Sequence, residues 1–223
     1  MDDPASHDHA YLPLHRSEAL TDGIYAVAMT LLVIELKVPE AGHIHGSDEL
    51  ANALIALLPK AFAWVTSFFV LALFWIAHHR IFSHVRRADP KLVWLNMLQL
   101  AFVSLMPFSC ALIGEKGVLL SQAIYSINMA MLGITGLLIA RHVYRHPGLG
   151  PTPMPLAIYR GARLRIAGLI LISAVAVLLT WIVPWSGAGN MAFMLMAVIT
   201  PLSRRMERRQ LAGEPGHAAE PAG

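Results

Sequence analysis

The chain has 223 residues, of which 56% are hydrophobic and 14% charged, with a formal net charge of +3 and a mean hydropathy of +0.56. That balance excludes an ordinary soluble domain, and a basic excess gathered at span ends, without a continuous basic stripe interleaved with aromatics, gives no nucleic-acid surface. The single cysteine, Cys110, lies in an apolar stretch and permits no intrachain disulfide.

Crossing a bilayer takes about 20 apolar residues per helix, and six stretches qualify: 17–38, 52–79, 92–113, 118–140, 164–184 and a shorter one at 188–203 ending near Pro201. An all-α integral membrane protein follows, because helices satisfy their own backbone groups in lipid. The opening MDDPASHDHAYLPLHR is polar and lacks the cationic start and apolar core of a signal peptide, so the first span is expected to serve as the insertion signal. Residues 1–15 read as a cytoplasmic N-terminal segment, 16–204 as the transmembrane unit and 205–223 as a disordered cytoplasmic tail. Pro59 and Pro107 are expected to kink their helices at most, and Gly133 and Gly136 suit close helix approach in the fourth span.

Basic residues set the orientation. Arg16; Arg80, Arg86, Arg87 and Lys91; Arg141, Arg145, Arg160, Arg163 and Arg165; and Arg204, Arg205, Arg208 and Arg209 all fall on one side, 14 of the 17 Lys and Arg. Lys37, Lys60 and Lys116 remain for the other. The positive-inside rule then places both termini in the cytoplasm of a multi-pass protein of the cell membrane, with an even number of crossings.

The first span, Arg16 to Pro39, reads RSEALTDGIYAVAMTLLVIELKVP. At 3.6 residues per turn Leu20, Ile24, Val27, Leu31, Ile34 and Val38 form one aliphatic line. Such a line serves equally as a packing stripe or as the apolar constriction of a water-filled path, where rings of aliphatic side chains gate by dewetting; Thr30 would add a hydroxyl beside Leu31. Asp22 is an ionisable group inside a span, which marks a functional or organising position. It lies roughly 140° around the helix from Val27, away from the aliphatic line. Partners at matching depth are His78 and His79 at the end of the second span and Asn96 in the third, with Arg16 and Thr21 nearby, a set that reads as a fastening between three helices.

Other chemistries find little support. There is no HExxH, GxSxG or CxxC and no second intramembrane aspartate to pair with Asp22, so no enzyme and no catalytic residues are predicted. His7 with His9 and His43 with His45 lack a third ligand at metal spacing, so no metal site and no cofactor is expected. An ion-coupled or proton-linked secondary transporter is the rival reading, but such folds are built from repeats around a polar midplane site. Here no repeat is found, and Thr30, Ser67, Ser126 and Asn128 are the main midplane polar groups.

Arg16 followed by Leu20-Thr21-Asp22-Gly23, the second-span ending FWIAHHRIF, the third-span opening LVWLNMLQLAFVSLMPFSCALIG and IYSINMAMLGITGLL in the fourth are similar, over about residues 14 to 140, to bacterial members of the transmembrane protein 175 family of potassium channels. The resemblance implies six transmembrane helices per subunit, a homotetramer, and a central pore lined by the first helix of each subunit, with K+ as the permeant ion. It implies a hydrophobic constriction in place of a TVGYG filter, formed by Val27, Leu31 and Ile34 with Thr30 as a polar layer. It also implies that Arg16, Thr21, Asp22, His78, His79 and Asn96 make up the signature polar network that holds the fold. Two departures stand out: the family's Phe-Ser is Leu20-Thr21 here, and Val27 is smaller than the usual isoleucine or leucine.

Overall fold

The computed structural model describes residues 14–37, 46–116, 119–183 and 192–195. Every regular element among them is helical: α1 (Leu14–Ile34), α2 (Ser47–Phe82), α3 (Pro90–Ser104), α4 (Met106–Lys116), α5 (Leu119–Arg145) and α6 (Leu156–Ile182), with short 3-10 turns at Pro147–Leu149 and Ala192–Leu195. Five stretches are long and apolar enough to cross a membrane, α3 and α4 counting together as Pro90–Ile113. Of the expected sixth span, 188–203, only Ala192–Leu195 is described, as a 3-10 turn whose Phe193 packs edge-on against Tyr125 at 5.1 Å between ring centroids; the rest lies outside the described residues, as do residues 1–13 and the tail from 196.

The helices overrun the apolar stretches that announce them. α2 starts five residues before the expected 52, α5 continues to Arg145 and α6 begins at Leu156 rather than 164. Backbone hydrogen bonding needs no apolar side chains once a helix is nucleated, so turns with charged residues extend it; Asp48 and Glu49 in the first turn of α2 also suit the positive end of its dipole.

The third span is two helices. Pro107 has no N–H to offer the carbonyl of Val103, and the helix breaks at Leu105, whose own N–H still reaches Ala101 O at 3.1 Å. Pro59, by contrast, is carried inside α2. At the start of α3 the Asp89 carboxylate accepts from Leu92 N at 2.8 Å, with Pro90 at the first helical position, the arrangement that satisfies an otherwise orphaned donor.

α5 is the centre of the bundle, flanked by α3, α4 and α6. Small residues let its neighbours approach: a Cβ on Gly133 would stand 2.9 Å from Leu169 Cδ2 of α6, and one on Gly136 would stand 3.3 Å from Gln99 Nε2 of α3. The main core runs through Tyr25, Leu32, Leu71, Val103, Met129, Leu132 and Leu169. A second cluster joins the end of α2 to the ends of α5 and α6 through Ile81, Phe82, Leu92, Ile139 and Ile158. There the two arginine-bearing connections touch directly, the N–H groups of Arg86 and Arg87 donating to Leu149 O at 2.7 and 3.0 Å. His142 Nε2 lies 2.8 Å from Asp89 Oδ2 beside them. The α2–α3 and α5–α6 connections therefore share one end of the bundle, as the charge distribution requires.

Candidate pore helix and its polar anchor

α1 has one buried face. Thr21, Tyr25, Ala28 and Leu32, spaced four, three and four residues apart, are buried, and they point into α2, α3 and α4. On one flank of that face stand Leu20, Val27, Leu31 and Ile34, and all four are exposed, Val27 at 56%, Leu31 at 42% and Ile34 at 64%. Only Ile24 of the same line packs partly against the core; Val38 lies outside the described residues. Leu20, Val27 and Leu31 border an open apolar groove closed on one side by Ser104 of α3. Thr30 is exposed as well, and its hydroxyl donates back to the carbonyls of Val27 and Ala26 at 2.8 and 3.1 Å. Within one subunit, then, the aliphatic line is not core.

The buried face is held by Asn96 of α3, which is fully buried. Its amide nitrogen donates to Thr21 Oγ1 at 2.9 Å and to Ser17 Oγ at 3.1 Å, while its carbonyl oxygen faces His78 Nε2 at 2.9 Å. Proton counting orders the whole chain. Thr21 has one hydroxyl proton and gives it to Ser17 O at 2.8 Å, so it can only accept from Asn96. Asn96 must therefore present its nitrogen to α1 and its oxygen to His78, and His78 must donate from Nε2. His78 is seated flat on Phe82, ring centroids 4.1 Å apart, and 6.5 Å from the Tyr25 ring. Three helices are thus tied through a single amide.

Asp22 takes a different route. Its Oδ1 accepts the indole N–H of Trp75 at 2.8 Å, and Trp75 is stacked on His79 at 6.1 Å. Of the expected partners, His78 bonds to Asn96 and Asn96 to Thr21, neither to Asp22, because Asp22 is one residue, roughly 100°, further round the helix than Thr21. Asp22, Trp75 and His79 form a second, exposed tie between α1 and α2. Arg16 sits exposed in the first turn of α1, with no hydrogen bond or ion pair among the described residues. Ser17 and Trp75 escaped the sequence reading. The signals were there: Ser17 is one turn before Thr21, and a tryptophan within a span needs an acceptor for its N–H.

The midplane polar groups pair off locally. Ser67 Oγ and Tyr125 OH are 3.0 Å apart, Asn128 Nδ2 donates to Ser109 Oγ at 3.0 Å, and Gln122 Nε2 donates to Ser126 Oγ at 3.3 Å. They cross-link α2, α4 and α5 and do not converge on one point. Among the described residues no group of three or more His, Cys, Asp or Glu side chains could hold a metal ion.

Residues 16–107, which span both ties, match the family described as the endosomal/lysosomal potassium channel TMEM175. A protein named a potassium channel from Streptomyces collinus is 34% identical over 157 residues, covering 68% of this chain and 75% of that protein. The chain belongs to the TMEM175 family. A second TMEM175 relative, named a potassium channel from Chamaesiphon minutus, is 42% identical over 100 residues, covering 45% of this chain and 49% of its own length. The crystal structure of a lysosomal potassium-selective channel TMEM175 homolog from the same genus and species superposes with a TM-score of 0.69 at 29% identity, taking in 85% of this chain and 97% of that one. The present chain is accordingly a multi-pass membrane protein of the TMEM175 fold.

Proposed function

We propose that this chain is one subunit of a potassium-permeable channel that conducts K+ passively along a pore lined by α1. The observation that carries the reading is the division of α1: a buried polar anchor on one face and bulky aliphatic residues left exposed on the flank beside it. One helix cannot enclose a pore, so several copies surround a common axis, and a homotetramer of six-span subunits in the cell membrane, with both termini in the cytoplasm, is the assembly proposed. Val27, Leu31 and Ile34 form the constriction rings and Thr30 a polar layer between them. Rings of this kind limit flux by excluding water rather than by replacing the ion's hydration shell with carbonyl oxygens. Thr21, Asp22, His78, His79 and Asn96 are assigned to holding α1 in register, whereas Arg16, expected in the same network, makes no such contact among the described residues. The naming of the Streptomyces and Chamaesiphon relatives as potassium channels supports the permeant ion.

The test is flux in liposomes. A K+ gradient across vesicles containing the purified protein drives dye-reported K+ movement without a sodium or proton gradient. Strict dependence on a second ion would replace the channel with a coupled transporter.

A further inference from the structure

α2 and α6 make few direct contacts, and between them runs a narrow cleft, part of it open to the outside. Its walls are apolar: Leu73, Phe74, Ala77 and Ile81 from α2, Ile139 from α5 and Ile166 from α6. Gly133 and Gly136 of α5 form its floor, where Leu169 and Gln99 come within 2.9 and 3.3 Å of where a Cβ would stand. Three polar groups also line it. Gln99 of α3 is 1% exposed, and its carbonyl oxygen has no hydrogen-bond partner among the described residues. Arg165 of α6 is the cation, and His78 is the third.

We propose that this cleft binds an anionic phospholipid, one acyl chain lying along the apolar walls and the phosphate held by Arg165. The combination selects the class. A free phosphate gains nothing from the aliphatic walls, and a zwitterionic lipid carries its own cation to compete with the arginine, whereas an acyl chain ending in a net anion uses both features. The guanidinium suits a phosphate because its N–H groups match the oxygens in pairs. The unpartnered carbonyl oxygen of Gln99 can accept from a headgroup hydroxyl but not from the lipid's ester carbonyls. Arg165 lies in the first half of α6, the half nearer the α2–α3 and α5–α6 connections and their arginines, and anionic headgroups gather on such a side. A bound lipid also touches His78, which is hydrogen-bonded to Asn96, so occupancy of the cleft bears on the same amide that anchors α1.

Binding is read without ion flux, so it stands or falls separately from the channel reading. The full-length protein in detergent is titrated with phosphatidylglycerol and with phosphatidylcholine of the same acyl chains, and bound lipid is counted by native mass spectrometry. The wild type prefers phosphatidylglycerol. Arg165→Gln weakens phosphatidylglycerol about tenfold, one charge-assisted contact, leaves phosphatidylcholine unchanged, and Arg165→Lys restores part of the loss. Ala77→Phe fills the cleft without altering Arg165 and weakens both lipids, with thermal unfolding confirming that each variant is folded. Equal binding of the two lipids by the wild type overturns the proposal, as does a phosphatidylglycerol preference that survives both Arg165→Gln and Ala77→Phe. If oleate displaces phosphatidylglycerol at equal concentration and shares its sensitivity to Arg165→Gln, the phospholipid is replaced by a single-chain carboxylate and the assignment fails.

Discussion

Asn96 donates to Thr21 at 2.9 Å, and because Thr21 has already given its only hydroxyl proton to Ser17 O, this one contact dictates the direction of every hydrogen bond from α1 to His78. Both amide donors and one acceptor site are used, and every partner is on another helix. Removing it strands groups on two helices at once.

Asn96→Leu therefore leaves the His78 N–H without an acceptor and Thr21 and Ser17 without their donor. The expected cost is about 1–3 kcal/mol, the penalty for orphaning buried polar groups, read as a drop in thermal unfolding temperature in detergent. A double-mutant cycle with Thr21→Val isolates the pair itself, for which about 0.6 kcal/mol is expected, the typical coupling of a hydrogen bond between membrane helices. A coupling near zero would mean that Thr21 and Asn96 do not bond.

Trp75→Phe removes the donor to Asp22 while keeping an aromatic ring against His79. The pair is exposed, so a loss of roughly 0.5–1.5 kcal/mol is expected, with Asp22→Asn costing less because its amide oxygen still accepts. If Asp22→Asn were the more damaging of the two in the same unfolding assay, the charge of Asp22 rather than its hydrogen bond would be what matters.

Gly150 and Gly133 separate two kinds of crowding. A Cβ on Gly150 would stand 1.7 Å from the carbonyl oxygen of His84, whereas one on Gly133 meets the movable tip of Leu169. Gly150→Ala must push the two connections apart and break the Arg86 and Arg87 bonds to Leu149, costing about 1–3 kcal/mol as overpacking does. Gly133→Ala is expected to cost less than about 1 kcal/mol, and equal unfolding temperatures for the two variants would contradict the packing described.

Leu31→Ala and Ile34→Ala remove side chains that touch no subunit core, so stability is expected to stay within about 0.5 kcal/mol of wild type. If these residues form the proposed constriction, K+ flux in liposomes is expected to rise, or discrimination between K+ and Na+ to fall, because the substitution widens it. Unchanged flux and selectivity in both variants would make the line a lipid-facing or packing stripe.

The registry of α1 was legible in the sequence, because helical spacing alone puts Leu20, Val27, Leu31 and Ile34 on one line and keeps Asp22 off it. Which surface that line faces was not legible, since lipid, pore and core all tolerate aliphatic side chains. The polar tie was half legible: His78 and Asn96 stood out as polar groups at the depth of Thr21 and Asp22, but the choice between Thr21 and Asp22 turns on roughly 100° of helix rotation. At Pro107 a kink at most was expected and the helix instead breaks at Leu105, whereas Pro59 is carried inside α2, so proline alone does not say whether a membrane helix bends or splits.

Hydrophobic length and the spacing of aliphatic residues were enough to determine a helical membrane protein, because these properties are local and are written along the chain. The pairing of Asp22 with Trp75, the hydrogen bonds of Asn96 and the cleft between α2 and α6 depended on how helices rotate and approach one another. That rotation is set by many weak contacts summed across the bundle, among them the close approach at Gly133, and only the tertiary structure could decide it.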